Sequence, residues 1–267
     1  MGCVERLRYA AEVSESLVCV GLDTDPDKLP ACLTTVGDVL SFNREIISAT
    51  SDLVCAYKPN SAFYEALGSC GMEILKETCR AVPSHIPVIL DVKRGDIGNT
   101  AMKYAEAAYD VLDADAVTVN PYMGFDAVKP FLREGKCVFV LCLTSNPSAG
   151  DFQTLDTGDW PLYERVARAA VEWAKEGEVG LVVGATRPEQ LRRIREIASG
   201  LPILIPGIGA QGGEIEPVIS SAGYRPGFTI INSSREILYA SIGDDYALAA
   251  RKSLLNLRAA INRYRER

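Results

Sequence analysis

Apolar residues along the chain form short continuous runs, and these alternate with segments in which apolar residues recur at helical spacing. The runs are rich in β-branched residues and suit strands buried on both faces of a sheet. They cover residues 17–23, 53–59, 87–93, 116–121, 137–144, 180–186, 202–209 and 228–234. Helical spacing is found, for example, at 64–82, 100–112, 161–176, 188–198 and 246–265. This strict alternation predicts a parallel sheet.

Eight units of this kind favour a closed barrel over an open, doubly wound sheet. A chain of 267 residues is long enough for a (β/α)8 barrel in one domain. A doubly wound fold is expected to carry a Gly-x-Gly-x-x-Gly turn after its first strand, and GLDTDPD at 21–27 is not such a turn. We therefore predict an α/β fold, a single (β/α)8 TIM barrel domain over residues 1–267. We also predict an N-terminal helix and an insertion at about 145–160, after the fifth strand.

Composition narrows the class of protein. The chain is 48% hydrophobic and 24% charged, as expected of a globular protein, and its net charge of −7 argues against a nucleic-acid partner. Its eight cysteines are dispersed without a Cys-x-x-Cys pair, which is typical of buried thiols in a reducing compartment. The single histidine, His85, lies in a turn between prolines. We therefore expect neither a histidine dyad nor a metal site.

The N-terminal stretch predicts a cytoplasmic protein. It carries charges in its first turns and no apolar segment of a signal peptide. Arg6 occupies the position where a myristoylation signal needs Ser or Thr. No apolar run approaches the roughly 18 residues of a membrane helix, so we expect no membrane partner.

Charged, amide and hydroxyl side chains follow several of the predicted strands. These side chains are Asp23, Lys58, Asp91, Lys93, Asn120 and Ser145. In a (β/α)8 barrel the carboxyl ends of the strands meet on one face, and active sites are built there. The pattern therefore predicts one functional site at that face.

The stretch ILDVKRGDIGNTA at 89–101 is the densest group of charges behind an apolar run. Asp91 and Lys93 are two residues apart on a strand, so their side chains are expected to point the same way. Lys58 reaches the same space, and with Asp96 the charges form a Lys-Asp-Lys-Asp array. Opposite neighbours offset the desolvation of each charge and keep the ammonium groups protonated. A structural ion-pair network or a solvated loop explains the spacing equally well.

A phosphate site is indicated near the C-terminal end of the chain. The stretch IPGIGAQGGE at 205–214 has four glycines that let backbone amides approach a ligand closely. Ser234 and Arg235 follow the next predicted strand, and barrels often bind phosphate after strands seven and eight. Alternatively, the glycines form tight turns and Arg235 pairs with a surface carboxylate.

Together these stretches resemble a known family. LDVKRGDIGNTA, VGLDTDPDKLP, YKPN, LTSNPSA, PGIGAQGG and NSSR are similar to the motifs of orotidine 5'-phosphate decarboxylases, in their longer bacterial form. The similarity runs from about residue 16 to 240, with the motifs in order and on the expected strands. The Asp-x-Lys-x-x-Asp element alone is less specific, because it also occurs in hexulose-phosphate synthases and ketogulonate-phosphate decarboxylases.

The resemblance implies a cofactor-independent enzyme that converts orotidine 5'-monophosphate to UMP and CO2 in de novo pyrimidine biosynthesis. It implies that Lys93 donates a proton to C6 of the pyrimidine and that Asp91 faces the carboxylate of the substrate. Lys58 orders the array and contacts the ribose, and Asp23 binds a ribose hydroxyl.

The resemblance also assigns the base and phosphate contacts. Ser145, or the adjacent Thr144, contacts the pyrimidine. Gln211 bridges base and phosphate, and Arg235 binds the phosphate beside Ser234.

Asp96 and Thr100 match residues that the family contributes to the neighbouring active site, which implies a homodimer. Two alternatives remain at this stage. A related barrel acting on a sugar phosphate would keep Asp91, Lys93 and Asp96, and a catalytically silent protein would bind UMP without turning it over.

Overall fold

The protein forms a nearly closed eight-stranded parallel barrel in this computed structural model, which describes residues 1–208 and 214–265. The strands are β1 (Val18–Leu22), β2 (Ala56–Pro59), β3 (Ile89–Arg94), β4 (Ala116–Val119), β5 (Cys137–Leu143), β6 (Glu178–Val183), β7 (Ile203–Pro206) and β8 (Thr229–Ser233). They pair in the order β2-β1-β8-β7-β6-β5-β4-β3. Isolated parallel bridges, Tyr57 with Val88 and Asn60 with Asp91, join β2 to β3. The predicted barrel is confirmed.

Helices surround the barrel. They are α1 (Cys3–Val13), α2 (Asp38–Thr50), α3 (Ser61–Glu65), α4 (Gly71–Ala81), α5 (Gly98–Glu106), α6 (Phe125–Val128), α7 (Leu162–Trp173), α8 (Pro188–Ile197), α9 (Ile215–Ala222), α10 (Arg235–Leu238) and α11 (Tyr246–Asn262). The helix predicted at 64–82 is instead divided between α3 and α4. A Cβ on Gly71 would lie 1.7 Å from the carbonyl oxygen of Tyr64, so this close junction requires glycine.

Most strand residues are buried, as the apolar runs predict, whereas the second half of β3 is partly exposed. Inside the barrel, Phe139 fills space that Gly180 leaves open, since a Cβ there would lie 2.6 Å from the Phe139 ring. Helix α1 covers the N-terminal end of the barrel with Cys3 and Leu7, both fully buried. The apolar interior therefore ends in a sealed base on one side and, on the other, in the polar strand ends.

Two arginines bind the elements at the sealed base. Arg6 of α1 pairs with Asp115, whose other carboxylate oxygen accepts a hydrogen bond from the Val88 amide at 2.9 Å. Arg195 of α8 is buried and donates to the carbonyl oxygens of three residues. These are Ala222 at 3.0 Å, Leu201 at 2.7 Å and Phe228 at 2.7 Å. Arg195 thus connects α8 to the end of α9 and to the segments before β7 and before β8.

The predicted insertion after β5 is a compact excursion. It contains a 3-10 helix at Pro147–Asp151 and an antiparallel bridge between Asp156 and Pro161. Within the described part of the chain, no helix combines the length and apolar character needed to cross a bilayer.

Candidate active site

A cavity of about 640 Å³ opens at the carboxyl ends of the strands. Apolar side chains of β5, β6 and β7 line part of it, namely Leu141, Leu143, Val182 and Leu204. Polar residues line much of the remainder: Asp23, Lys58, Asn60, Asp91, Lys93, Thr118, Thr144, Ser145, Asn146, Asn232, Ser233, Ser234, Arg235 and Glu236. Its size suits a ligand as large as a nucleotide.

Asp91 lies at the centre of the charged residues and bridges two lysines. Its Oδ2 accepts from Lys58 Nζ at 2.9 Å, and its Oδ1 accepts from Lys93 Nζ at 2.6 Å. Lys58 Nζ also lies 3.7 Å from Asp23 Oδ1. The Lys58 and Asp91 side chains are only 4% and 10% exposed, whereas Lys93 is 48% exposed. Lys93 is therefore the ammonium that is accessible to a ligand.

The two buried groups hold each other in the charged state. Burial by itself lowers the pKa of Lys58, but the charges of Asp23 and Asp91 outweigh burial and raise that pKa above its ordinary value. Burial by itself raises the pKa of Asp91, and the charges of Lys58 and Lys93 reverse this and hold the pKa well below its usual range. The site therefore presents an ionised carboxylate between two cations at neutral pH.

Regular strand alternation is not what brings Lys93 to Asp91. Leu90 pairs with Val117 and Arg94 pairs with Val119, and the register shifts between these two pairs. Lys93 has a φ of 44°, in the left-handed region that non-glycine residues rarely adopt. The predicted meeting of the two side chains is present, but a bulge in β3 produces it.

Asp96 and Thr100 lie away from the cavity of their own chain. Asp96 is half-buried after β3 and its Oδ1 accepts from the Ile97 amide at 2.8 Å, while Thr100 is exposed on α5. Among residues 1–208 and 214–265, no cation forms an ion pair with Asp96. Within a single chain the second carboxylate beside Lys58 is therefore Asp23, and the place of Asp96 in the array stays a prediction.

The adjacent hydroxyls after β5 have different surroundings. Thr144 Oγ1 donates to Asn146 Oδ1 at 2.6 Å and accepts from Gln153 Nε2 at 2.8 Å, so neighbouring side chains occupy it. Ser145 also lines the cavity, and Gly184 makes room for it, because a Cβ there would lie 2.4 Å from Ser145 Oγ. Ser145 is therefore the hydroxyl that remains available to a ligand.

The structure describes part of the predicted phosphate-binding end of the cavity. Ser234 and the exposed Arg235 line it, and Gly207 lines it with a φ of 97°. No carboxylate in the described ranges pairs with Arg235, in contrast to the surface ion pair considered above. Gln211 lies outside the described residues, as do the glycines at 209, 212 and 213.

Some polar residues have roles that their sequence positions did not indicate. Asn120, one of the polar residues at strand ends, caps the 3-10 helix at Pro121–Met123 and does not line the cavity. Thr118 and Asn232 do line it, and Asn232 Oδ1 is buried without a hydrogen-bond partner in the described chain. For Thr118 the sequence did offer a signal, because it is the one hydroxyl residue within the apolar run AVTV.

The donor set of the cavity suits an anionic ligand better than a cation. Two lysines and Arg235 face the space together with three carboxylates, Asp23, Asp91 and Glu236. Asp91 is already occupied by both lysines, and Asp23 lies 3.7 Å from Lys58. Throughout the part of the chain that the structure describes, no group of three or more His, Cys, Asp or Glu side chains is placed to hold a metal ion.

Comparison with known proteins is consistent with this geometry. The sequence model of the Orotidine 5'-phosphate decarboxylase / HUMPS family matches residues 16–251. An orotidine 5'-phosphate decarboxylase of Herpetosiphon aurantiacus is 51% identical over 93% of this chain and 94% of that protein. One from Cupriavidus metallidurans is 51% identical over 99% of both chains. The solved structure of Leishmania donovani OMP decarboxylase has a TM-score of 0.87 and 40% identity, covering 100% of both chains.

Proposed function

The chain belongs to the Orotidine 5'-phosphate decarboxylase / HUMPS family, and we propose that it converts orotidine 5'-monophosphate to UMP and CO2 in de novo pyrimidine biosynthesis. The observation that carries this proposal is the ionised Asp91 between buried Lys58 and accessible Lys93, at the mouth of a cavity of about 640 Å³. The catalytic unit is one barrel domain, and the enzyme acts in the cytoplasm.

A fixed ammonium is the group that this reaction needs. Loss of CO2 from C6 leaves an electron pair in an sp2 orbital, which the ring π system does not delocalise. Neither a general base nor a covalent nucleophile lowers that barrier much. Lys93 stabilises the developing charge and then transfers its proton to C6, which completes UMP. The reaction therefore uses only side chains of the protein and needs no cofactor.

Asp91 has two effects on this reaction. It holds Lys93 Nζ at 2.6 Å and so positions the proton donor. It also remains ionised where the substrate carboxylate is to bind, because Lys58 and Lys93 keep its pKa low. Repulsion between the two carboxylates is relieved as CO2 leaves.

Groups remote from C6 supply the rest of the barrier lowering. Enzymes lower activation free energies by roughly 8 to 23 kcal/mol, and this reaction requires a value in the upper part of that range. A single lysine does not supply so much. Arg235 and Ser234 bind the phosphate with Gln211, Asp23 binds the ribose, and Ser145 contacts the pyrimidine. Binding energy at these positions orients the pyrimidine over Lys93.

The proposal includes a homodimer in which Asp96 and Thr100 complete the neighbouring site. Support comes from their position outside their own cavity and from exposed apolar side chains nearby, with Ile97 54% and Met102 47% exposed. Mixing Asp96→Ala and Lys93→Ala chains tests it. Heterodimers with one intact site should restore roughly a quarter of wild-type activity, because half of the dimers are mixed. No recovery after subunit exchange would contradict the shared site.

The first test of the activity follows the ultraviolet absorbance of orotidine 5'-monophosphate after wild-type protein is added in the presence of EDTA. Rapid conversion to UMP by the wild type and none by Lys93→Ala is expected. Binding of UMP by both proteins is the control for an intact cavity. UMP binding without any turnover by the wild type would instead identify a catalytically silent nucleotide-binding protein.

The family also contains barrels that act on sugar phosphates. A turnover assay of the wild-type protein with such substrates tests this alternative. Hexulose phosphate and ketogulonate phosphate are supplied with added magnesium. We expect no turnover, because a site that contacts a pyrimidine through Ser145 and Gln211 gives a sugar phosphate no equivalent contact.

A further inference from the structure

The bulge in β3 forces three residues to share one partner. Leu90 lies opposite Val117 and Arg94 opposite Val119. Asp91, Val92 and Lys93 therefore all stand opposite the one remaining residue of β4, Thr118. A bulge of this kind removes ladder hydrogen bonds, and the left-handed φ of 44° at Lys93 adds strain. Something outside β3 must stabilise this conformation.

The hydroxyl of Thr118 makes those missing hydrogen bonds. Its Oγ1 accepts from the Val92 amide at 3.1 Å and from the Lys93 amide at 2.9 Å. It donates to Asp91 Oδ1 at 2.8 Å. One donor and two acceptor positions are all that a threonine hydroxyl has, so its capacity is fully used. Thr118 is 1% exposed, so solvent has little access to these bonds.

The same hydroxyl joins the backbone of Lys93 to the carboxylate that receives the Lys93 side chain. Asp91 Oδ1 accepts both from Thr118 Oγ1 at 2.8 Å and from Lys93 Nζ at 2.6 Å. Both ends of Lys93, its amide and its ammonium, are therefore held relative to one atom of β4. A β-branched residue on a strand has few rotamers, which makes that atom a rigid reference.

From this geometry we infer that Thr118 is a positioning residue, whose hydroxyl stabilises the β3 bulge and so aims the Lys93 ammonium at the reacting carbon. The inference rests on the proposed function, because it concerns how Lys93 is placed for proton transfer. Without the hydroxyl, two backbone amides lose their acceptor and the bulge relaxes towards regular pairing. The Lys93 ammonium then leaves its place while the remainder of the cavity stays intact.

The test compares three variants. Thr118→Val keeps shape and removes the hydroxyl, and Thr118→Ser keeps the hydroxyl. Thr229→Val is the matched control, because Thr229 is equally buried at the base of the barrel and its hydroxyl donates to the Gly223 carbonyl at 2.8 Å. Turnover of orotidine 5'-monophosphate, the Kd for UMP and the thermal midpoint are measured for each.

We expect Thr118→Val to lower kcat roughly 10- to 100-fold, as a misplaced catalytic group does. Its Kd for UMP should stay within about threefold of wild type, because only the transition state needs the aimed ammonium. Thr118→Ser should recover most of kcat. Thr229→Val should lower the thermal midpoint and leave kcat unchanged in the folded protein.

Three results would overturn the inference. These are a Thr118→Val kcat within about threefold of wild type, an equal loss in Thr118→Ser, or a loss of UMP affinity as large as the loss of kcat. If wild-type protein decarboxylates no orotidine 5'-monophosphate, the proposed function fails on its own. The positioning claim is then decided by a crystal structure of Thr118→Val. In that structure Lys93 Nζ must have moved beyond hydrogen-bonding distance of Asp91, and an unmoved Lys93 refutes the claim.

Discussion

Two buried cations mark the two ends of the barrel, and they are stabilised in opposite ways. Lys58 at the mouth lies between two carboxylates, Asp91 at 2.9 Å and Asp23 at 3.7 Å, which raise its pKa despite burial. Arg195 at the base has no carboxylate partner in the described chain and donates to three backbone carbonyls. Burial, with a smaller contribution from the charge of Arg225, lowers the pKa of Arg195 to about 10.

This difference suggests that the cation at the mouth serves function and the cation at the base serves stability. At the base, the backbone itself satisfies the charge, so removing the cation leaves carbonyl groups without donors. At the mouth, side chains satisfy one another, and a ligand can exchange for those partners. We therefore expect turnover to respond most to substitutions at the mouth, and at the base we expect the free energy of unfolding to change without a change in turnover.

The largest expected effect is that of Lys58→Met. Methionine fills a similar volume, and Asp91 keeps Lys93 as a partner, so the fold is retained. Loss of the central ammonium should lower kcat at least about 10³-fold, because Asp91 and the substrate lose their fixed counter-charge. Initial rates and urea unfolding measure the two effects. Activity within about tenfold of wild type would contradict the proposed role of the mouth.

Arg195→Met is the matched substitution at the base. It leaves the carbonyls of Ala222, Leu201 and Phe228 without this donor. The free energy of unfolding should fall by about 3 kcal/mol, with kcat unchanged at temperatures where the variant is folded. A stable variant with lost activity would show that the two ends are coupled.

Asp91→Asn tests whether charge stabilises the mouth, through the pH dependence of the free energy of unfolding. The folded pKa of Asp91 is depressed, so its contribution to stability is present above the unfolded value of about 4 and is lost as pH falls further. The pKa of Lys58 is raised, so its contribution persists up to about pH 10. Urea unfolding should give a wild-type advantage of roughly 1 to 3 kcal/mol that is constant from about pH 5 to 9 and shrinks below about pH 4. An advantage that persists in acid would mean that packing, not charge, makes the difference.

The smallest effect is expected for Asp115→Asn at the base. Asparagine still accepts from the Val88 amide, and only the charge facing the partly exposed Arg6 is lost. The free energy of unfolding should fall by about 1 kcal/mol or less, which calorimetry reads as a shift of a few degrees. Turnover should be that of wild type. Any loss of turnover would contradict the expectation that the base of the barrel has no role in catalysis.

Local patterns in the chain were sufficient for the architecture and for much of the site. Buried parallel strands read as continuous apolar runs, and eight of them alternating with helices leave few folds besides a barrel. The carboxyl ends of such strands converge, so the sequence alone identifies the polar residues that follow them and line the cavity, including Asp23, Lys58, Asp91 and Ser145. The resemblance to the family motifs then indicated which reaction these residues serve.

Other features depend on contacts between segments that are distant in sequence. The bulge in β3 exists because Thr118, on the next strand, accepts from Val92 and Lys93. The partners of Arg195 lie at the end of α9 and in the connections before β7 and before β8. Asn120 follows a strand as the site residues do, yet it caps a turn.

The barrel and the face that carries the chemistry are therefore predictable from the chain alone, because both follow from periodicity and from the polar residues behind apolar runs. Which charges meet depends on the three-dimensional packing. It placed Asp23 beside Lys58, left Asp96 outside its own cavity, and turned Lys93 through a left-handed backbone conformation. The physical reason is that an ion pair or a strand register depends on atoms within about 4 Å of each other, and chain spacing does not specify these distances.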